Sequence, residues 1–201
     1  MKKAIALILV FVLLLPSISY AKATEKRSLV EFLELYAPRY GKYAAENDTK
    51  LLIEYTTYIP PYEPNDSDYL CITSTAGTIY VDTERYGYYV HRIDFPLFTL
   101  DDDTFDNDKI VNVAVAISAL EFDNTYEITN SLSKKYLNTE KSAVKDAFII
   151  LDVITDKMSD AFTRSYKTGE LAYVCSYNYN YYIRYWKYGD KGYVDLVAQD
   201  Q

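Results

Sequence analysis

The chain is poor in the residues that carry most recognisable chemistry: one histidine, one tryptophan and two cysteines in 201 residues, with six glycines and six prolines. A zinc centre draws several His and Cys ligands, so a histidine-based metal site fails by counting. A Ser-His-Asp set would have to use His91, and no G-x-S-x-G or H-E-x-x-H pattern surrounds it. In Tyr89-Val90-His91-Arg92, strand alternation sets His91 with Tyr89 and Ile93, and Arg92 on the other side. It reads as a structural or surface side chain. There is no repeat, low-complexity tract or Gly/Pro-rich linker, so residues 24–201 read as one domain.

Positive charge is also short. The 21 basic side chains face 29 acidic ones. Lys2, Lys3 and Lys22 lie in the first 23 residues, which hold no acid, so the remainder carries 18 against 29, a net charge of −11. Such a chain is repelled by phosphate backbones and anionic lipid surfaces, and no nucleic-acid partner is expected. Only one long apolar run exists. Lys2-Lys3, the stretch Ala4 to Leu15 and the small-residue exit Pro16 to Ala23 form the three parts of a secretory signal peptide, with cleavage after Ala21 or Ala23. The run is too short for a membrane helix, which needs about 20 residues. The expectation is a secreted or periplasmic protein with no membrane span and no cofactor.

What the chain has in excess is tyrosine, 23 residues. Tyr combines a large rigid contact area with a polar tip and favours strands and wet interfaces. Cys71 and Cys175 both lie in strand-like runs, and in an oxidising compartment such a pair is read as one disulfide.

Ser28-Leu29-Val30-Glu31 has the form of a capping box, and Leu29, Phe32, Leu33 and Tyr36 follow as an apolar stripe that Pro38 should end or kink. Residues 51–59, 69–74, 78–82 and 86–95 read as strands, broken by Pro60-Pro61 and Pro64-Asn65-Asp66, with a turn at Ala76-Gly77. Ile110 to Phe122 is apolar all round, which marks a buried helix capped by Asp106 or Asn107, or else a buried strand. Thr125 to Tyr136 suggests a weaker helix. Glu140 to Arg164 is the clearest helix, capped by Asn138 or Thr139 and stopped near Gly169, with Asp152, Asp156 and Asp160 on a solvated face. Residues 171–177, 181–188 and 193–198 read as a three-stranded meander with turns at 178–180 and 189–192. The fold class is therefore α+β: an antiparallel sheet from two β regions packed against a helical middle with one long amphipathic helix.

Two acidic or polar motifs are weaker. Asp101 to Asp108 misses the EF-hand pattern, since Phe105, Asp106 and Asn112 stand where a ligand, Gly and Glu belong. It reads as a capping loop. Asn47-Asp48-Thr49 and Asn65-Asp66-Ser67 match the glycosylation sequon, which matters only in a eukaryotic source.

The most concentrated signal is Tyr181 to Tyr188. Period-2 alternation puts Tyr182, Arg184, Trp186 and Tyr188 on one side, an arginine among aromatics, as at surfaces that bind partners or sugars. These four are the candidate ligand-binding residues; none is assigned to catalysis. The function expected is a non-enzymatic exported binding module, its partner a protein or glycan of the envelope or surroundings. The alternatives are a small secreted hydrolase acting on a saccharide through paired carboxylates, and a structural component of a surface assembly.

Overall fold

The structure, a computed structural model, describes residues 26–43, 52–57, 68–74, 77–83, 89–100, 107–123 and 139–201. The signal segment, the Ala76 half of the first tight turn, the proline breaks, the start of the 86–95 strand, most of the 101–108 loop, the 125–136 helix and both sequons lie outside the described residues.

Helix α1 (Leu29–Tyr43) starts where the capping box places it. Glu31 Oε2 accepts from the Ser28 amide at 3.1 Å and from its hydroxyl at 2.8 Å, and the Glu31 amide donates back to Ser28 Oγ at 3.2 Å. Pro38 does not end this helix. It is exposed, so the hydrogen bond it cannot make is lost on the solvent side. The stripe of Phe32, Leu35, Tyr36 and Tyr40 continues past it into the core, with the three aromatic rings stacked at 5.6 Å steps.

Four strands follow: β1 (Leu52–Thr57), β2 (Asp68–Ser74), β3 (Gly77–Thr83) and β4 (Val90–Thr99). Helix α2 (Asn107–Glu121) comes next, and the strand alternative for it is excluded. Val113 through Leu120 are all buried, as an apolar-all-round helix requires. Helix α3 (Thr139–Thr168) runs one turn longer than its sequence pattern predicts and stops at Gly169, whose φ of 73° suits a residue without a Cβ. Then come β5 (Ala172–Ser176), β6 (Asn180–Tyr188) and β7 (Lys191–Gln199). The β6–β7 turn carries Gly189 at φ 59°.

The strands form one antiparallel sheet in the order β1-β2-β3-β4-β7-β6-β5. The two β regions join where β4 pairs with β7, Ile93 opposite Ala198 and Phe95 opposite Leu196. The fold is therefore α+β with a single sheet. The described helices pack on one face, over Leu70, Ile72, Ile79, Val81, Ile93, Phe95, Tyr181, Ile183, Val194 and Leu196.

Two buried polar side chains fasten the helical layer. Arg39 is 0% exposed, and its guanidinium donates to the carbonyls of Ser118, Phe122 and Asp123 at 2.6, 3.1 and 3.4 Å. It neutralises the carbonyl end of α2, where a helix leaves acceptors without partners. Glu121, the last residue of α2, turns its carboxylate to the β5–β6 turn. It accepts from the Asn178 amide at 2.7 Å, the Tyr179 amide at 3.1 Å and the Tyr181 hydroxyl at 2.7 Å. Burial pushes its carboxyl above the usual carboxylate range, against the pull of those three donors and of Arg27.

The disulfide expected between Cys71 and Cys175 is not formed. β2 and β5 stand five strand steps apart in the sheet, roughly 24 Å at ~4.8 Å per step. A disulfide needs Cα atoms within about 7 Å. The two also face opposite ways, Cys175 in the helix-side core and Cys71 on the other face.

A charged and aromatic cluster on the sheet face away from the described helices

The face turned away from the helices is set by register. Arg184 stands opposite Asp195, Trp186 opposite Tyr193 and Tyr182 opposite Val197 across β6 and β7. On β4, Asp94 stands opposite Val197 and Pro96 opposite Asp195, so Asp94 and Asp195 are diagonal neighbours, with Cα atoms about 7–8 Å apart. Tyr80 of β3 faces Asp94, and Cys71 of β2 faces Tyr80. All four candidate residues therefore share this one face, as their alternation predicts.

At its centre lie two acids and two arginines. Arg92 and Asp94 form a fork, Nε to Oδ1 at 2.6 Å and Nη2 to Oδ2 at 2.8 Å. Both are buried, and a two-pronged geometry is what lets such a pair survive desolvation. Asp195 accepts a hydrogen bond from Trp186 Nε1 at 2.6 Å. Burial and then the negative charge of Asp94 push the Asp195 carboxyl up to about 7, while the Trp186 N–H, Arg184 and Arg92 pull it down. Asp94 and Asp195 are 2% and 3% exposed, so they form a floor beneath the surface.

Above that floor the aromatics are more open. The Trp186 indole stacks on Tyr193 with centroids 4.4 Å apart and planes 13° from parallel. Tyr182 meets the edge of Tyr173 on β5 at 5.9 Å. Tyr173 and Tyr188 are 50% and 65% exposed. Half-buried Trp186 thus has its polar end fixed by Asp195 and one ring face held by Tyr193. A side chain locked on two sides loses little freedom when a ligand settles on it.

The four candidates do not play equal parts. Arg184 is buried at the floor beside Asp195, Trp186 and Tyr182 form the middle, and Tyr188 stands out at the hairpin end. Sequence reasoning missed Tyr173, Tyr193, Asp195, Arg92 and Asp94. A signal for Asp195 existed: it interrupts the apolar run Val194-Asp195-Leu196-Val197 in the phase opposite to Val194 and Leu196. Arg92 and Asp94 likewise alternate with Ile93 and Phe95.

His91 lies apart from this cluster. The β3–β4 register slips between Asp82 and Thr83, pairing Thr83 with Val90 and leaving His91 out of the alternation. Its Nδ1 lies 2.7 Å from Asp200, whose other oxygen lies 2.7 Å from Lys26. Among the described residues, no three of His, Cys, Asp and Glu gather as metal ligands do. No described helix is long and apolar enough to cross a membrane. Compared with family models, curated proteins and solved structures, the chain matches none.

Proposed function

We propose that this chain is an exported binding module that holds a saccharide against the aromatic part of the sheet face that no described helix covers. The observation that carries the reading is the Trp186 indole, stacked on Tyr193 and tied through its N–H to Asp195. Sugar rings offer C–H faces to flat aromatics and hydroxyls to tyrosine tips, and Tyr173, Tyr182 and Tyr188 extend the row with such tips. Export rests on the N-terminal pattern of basic start, apolar run and small-residue exit.

The experiment is a titration of the protein with soluble oligosaccharides and cell-wall glycan fragments, followed by the emission of Trp186, the only tryptophan. A saturable change, weakened roughly five- to tenfold in Tyr182→Ala and Tyr188→Ala, is expected if each ring contributes on the order of 1–1.5 kcal/mol. Saturation by a protein partner and by no glycan would replace the saccharide reading. Loss of neither variant's binding would move the site elsewhere.

One observation favours a hydrolase as the second reading: Asp195, held up to about 7, lies diagonal to Asp94, and an acid–carboxylate pair is the machinery of glycoside hydrolysis. The burial of both acids weighs against it. Release of reducing ends from the same glycans, abolished in Asp195→Asn, would favour the enzyme.

A further inference from the structure

The arrangement at the sheet centre couples an ionisable floor to the aromatic surface above it. We propose that Asp195 is a proton-operated gate of the Trp186 platform, holding the indole when ionised and loosening it when protonated. The proposal deepens the saccharide-binding reading and rests on it for its effect on ligand, but not for its effect on Trp186.

The geometry supplies the coupling. Trp186 Nε1 donates directly to Asp195 Oδ2 at 2.6 Å, and a carboxylate accepts such a bond more strongly than a neutral carboxyl does. The surroundings of Asp195 are polar on both neighbouring strands. β4 presents Arg92 and Asp94, and β6 presents Arg184 and Trp186. Tyr80 of β3 stands beyond Asp94 and feels the Asp195 charge. Asp82 of β3 stands opposite Arg92 on the same face and adds a third acid beside the two arginines. When Asp195 takes a proton, Arg184 loses the opposing charge directly across the ladder.

The balance between burial and Asp94 on one side, and Trp186, Arg184 and Arg92 on the other, sets the gate near neutrality, at about 7. Above it the indole is clamped between Asp195 and Tyr193. Below it the bond to the indole N–H is weaker, and a flat neutral ligand meets a less firmly held ring. The difference between a charge-assisted and a neutral hydrogen bond, about 1 kcal/mol, corresponds to binding roughly fivefold tighter above the transition than below it.

The test is a titration of the unliganded protein across about pH 5 to 9. It is read by Trp186 emission and by the indole N–H resonance, which is single because the chain has one tryptophan. A sigmoidal change centred near 7, absent in Asp195→Asn and retained in His91→Gln, is expected. A flat wild-type response, a transition that survives in Asp195→Asn, or one that disappears in His91→Gln overturns the gate. The wild-type indole resonance keeps the test decisive if Asp195→Asn does not fold, because an N–H bonded to a titrating carboxylate must move with it. If the transition occurs and no glycan binds at either pH, the saccharide reading fails while the gate stands. If a glycan binds equally well at both ends of a real transition, the gate's control of ligand is overturned.

Discussion

Trp186 on β6 donates to Asp195 on β7 along a diagonal of the ladder, because Asp195 faces Arg184 and Trp186 itself faces Tyr193. One bond therefore joins an aromatic at the half-open surface to an acid that is almost wholly buried. The measurable properties of this face follow from that connection and from the buried polar groups that hold β6 in place.

Asp195→Asn should change how stability depends on pH. The folded pKa of Asp195 lies above its ordinary 3.8, at about 7. Its contribution is thus complete below about pH 4 and lost as pH rises through 7, where a buried group is forced to ionise. Measured by denaturant unfolding, wild type should lose up to about 4 kcal/mol relative to Asp195→Asn across this window. Parallel pH curves for the two proteins would contradict the raised pKa.

Glu121→Gln should loosen the turn that launches β6. The carboxylate accepts from two backbone amides and one hydroxyl. Glutamine has a single acceptor oxygen and brings a donor where donors already crowd. A loss of about 2 kcal/mol is expected from the amide left without an acceptor. Hydrogen exchange at Asn178 and Tyr179 should accelerate first. An unchanged unfolding midpoint would show that this carboxylate does not brace the turn.

Alkaline titration should separate the tyrosines. Burial pushes Tyr179 up to about 12, with Asp200 and Glu121 adding to it. Tyr181, wholly buried and bonded to Glu121, is held well above the ordinary phenol value by its desolvation. The stability Tyr179 contributes is complete below about pH 10 and is lost as pH rises through about 12, and that of Tyr181 is likewise lost only far above the ordinary phenol value. Tyrosinate absorbance should therefore appear in two stages, the second coinciding with loss of near-UV circular dichroism. A single stage without unfolding would contradict their burial.

Thiol counting checks the cysteines directly. Unreduced, denatured protein should yield two thiols per chain, since Cys71 and Cys175 are unbonded to each other. In the native state Cys175 should react slowly, because burial pushes its thiol up and leaves little thiolate. A chain two hydrogens lighter, with no thiol before reduction, would restore the disulfide.

Sequence patterning determined the elements themselves. Period and capping chemistry are local, so the Ser28–Glu31 box, the all-apolar α2, the long α3 stripe and the meander turns are all legible along the chain. The alternation that put Tyr182, Arg184, Trp186 and Tyr188 on one face is local too, since successive strand residues point opposite ways. Strand order is not local. Only the pairing of β4 with β7 brings Arg92 and Asp94 beside Arg184, Trp186 and Asp195, and the same order holds Cys71 and Cys175 five strands apart. Whether a charge is solvated or buried, and hence how far its pKa moves, depends on neighbours that are distant along the chain and adjacent only in the fold.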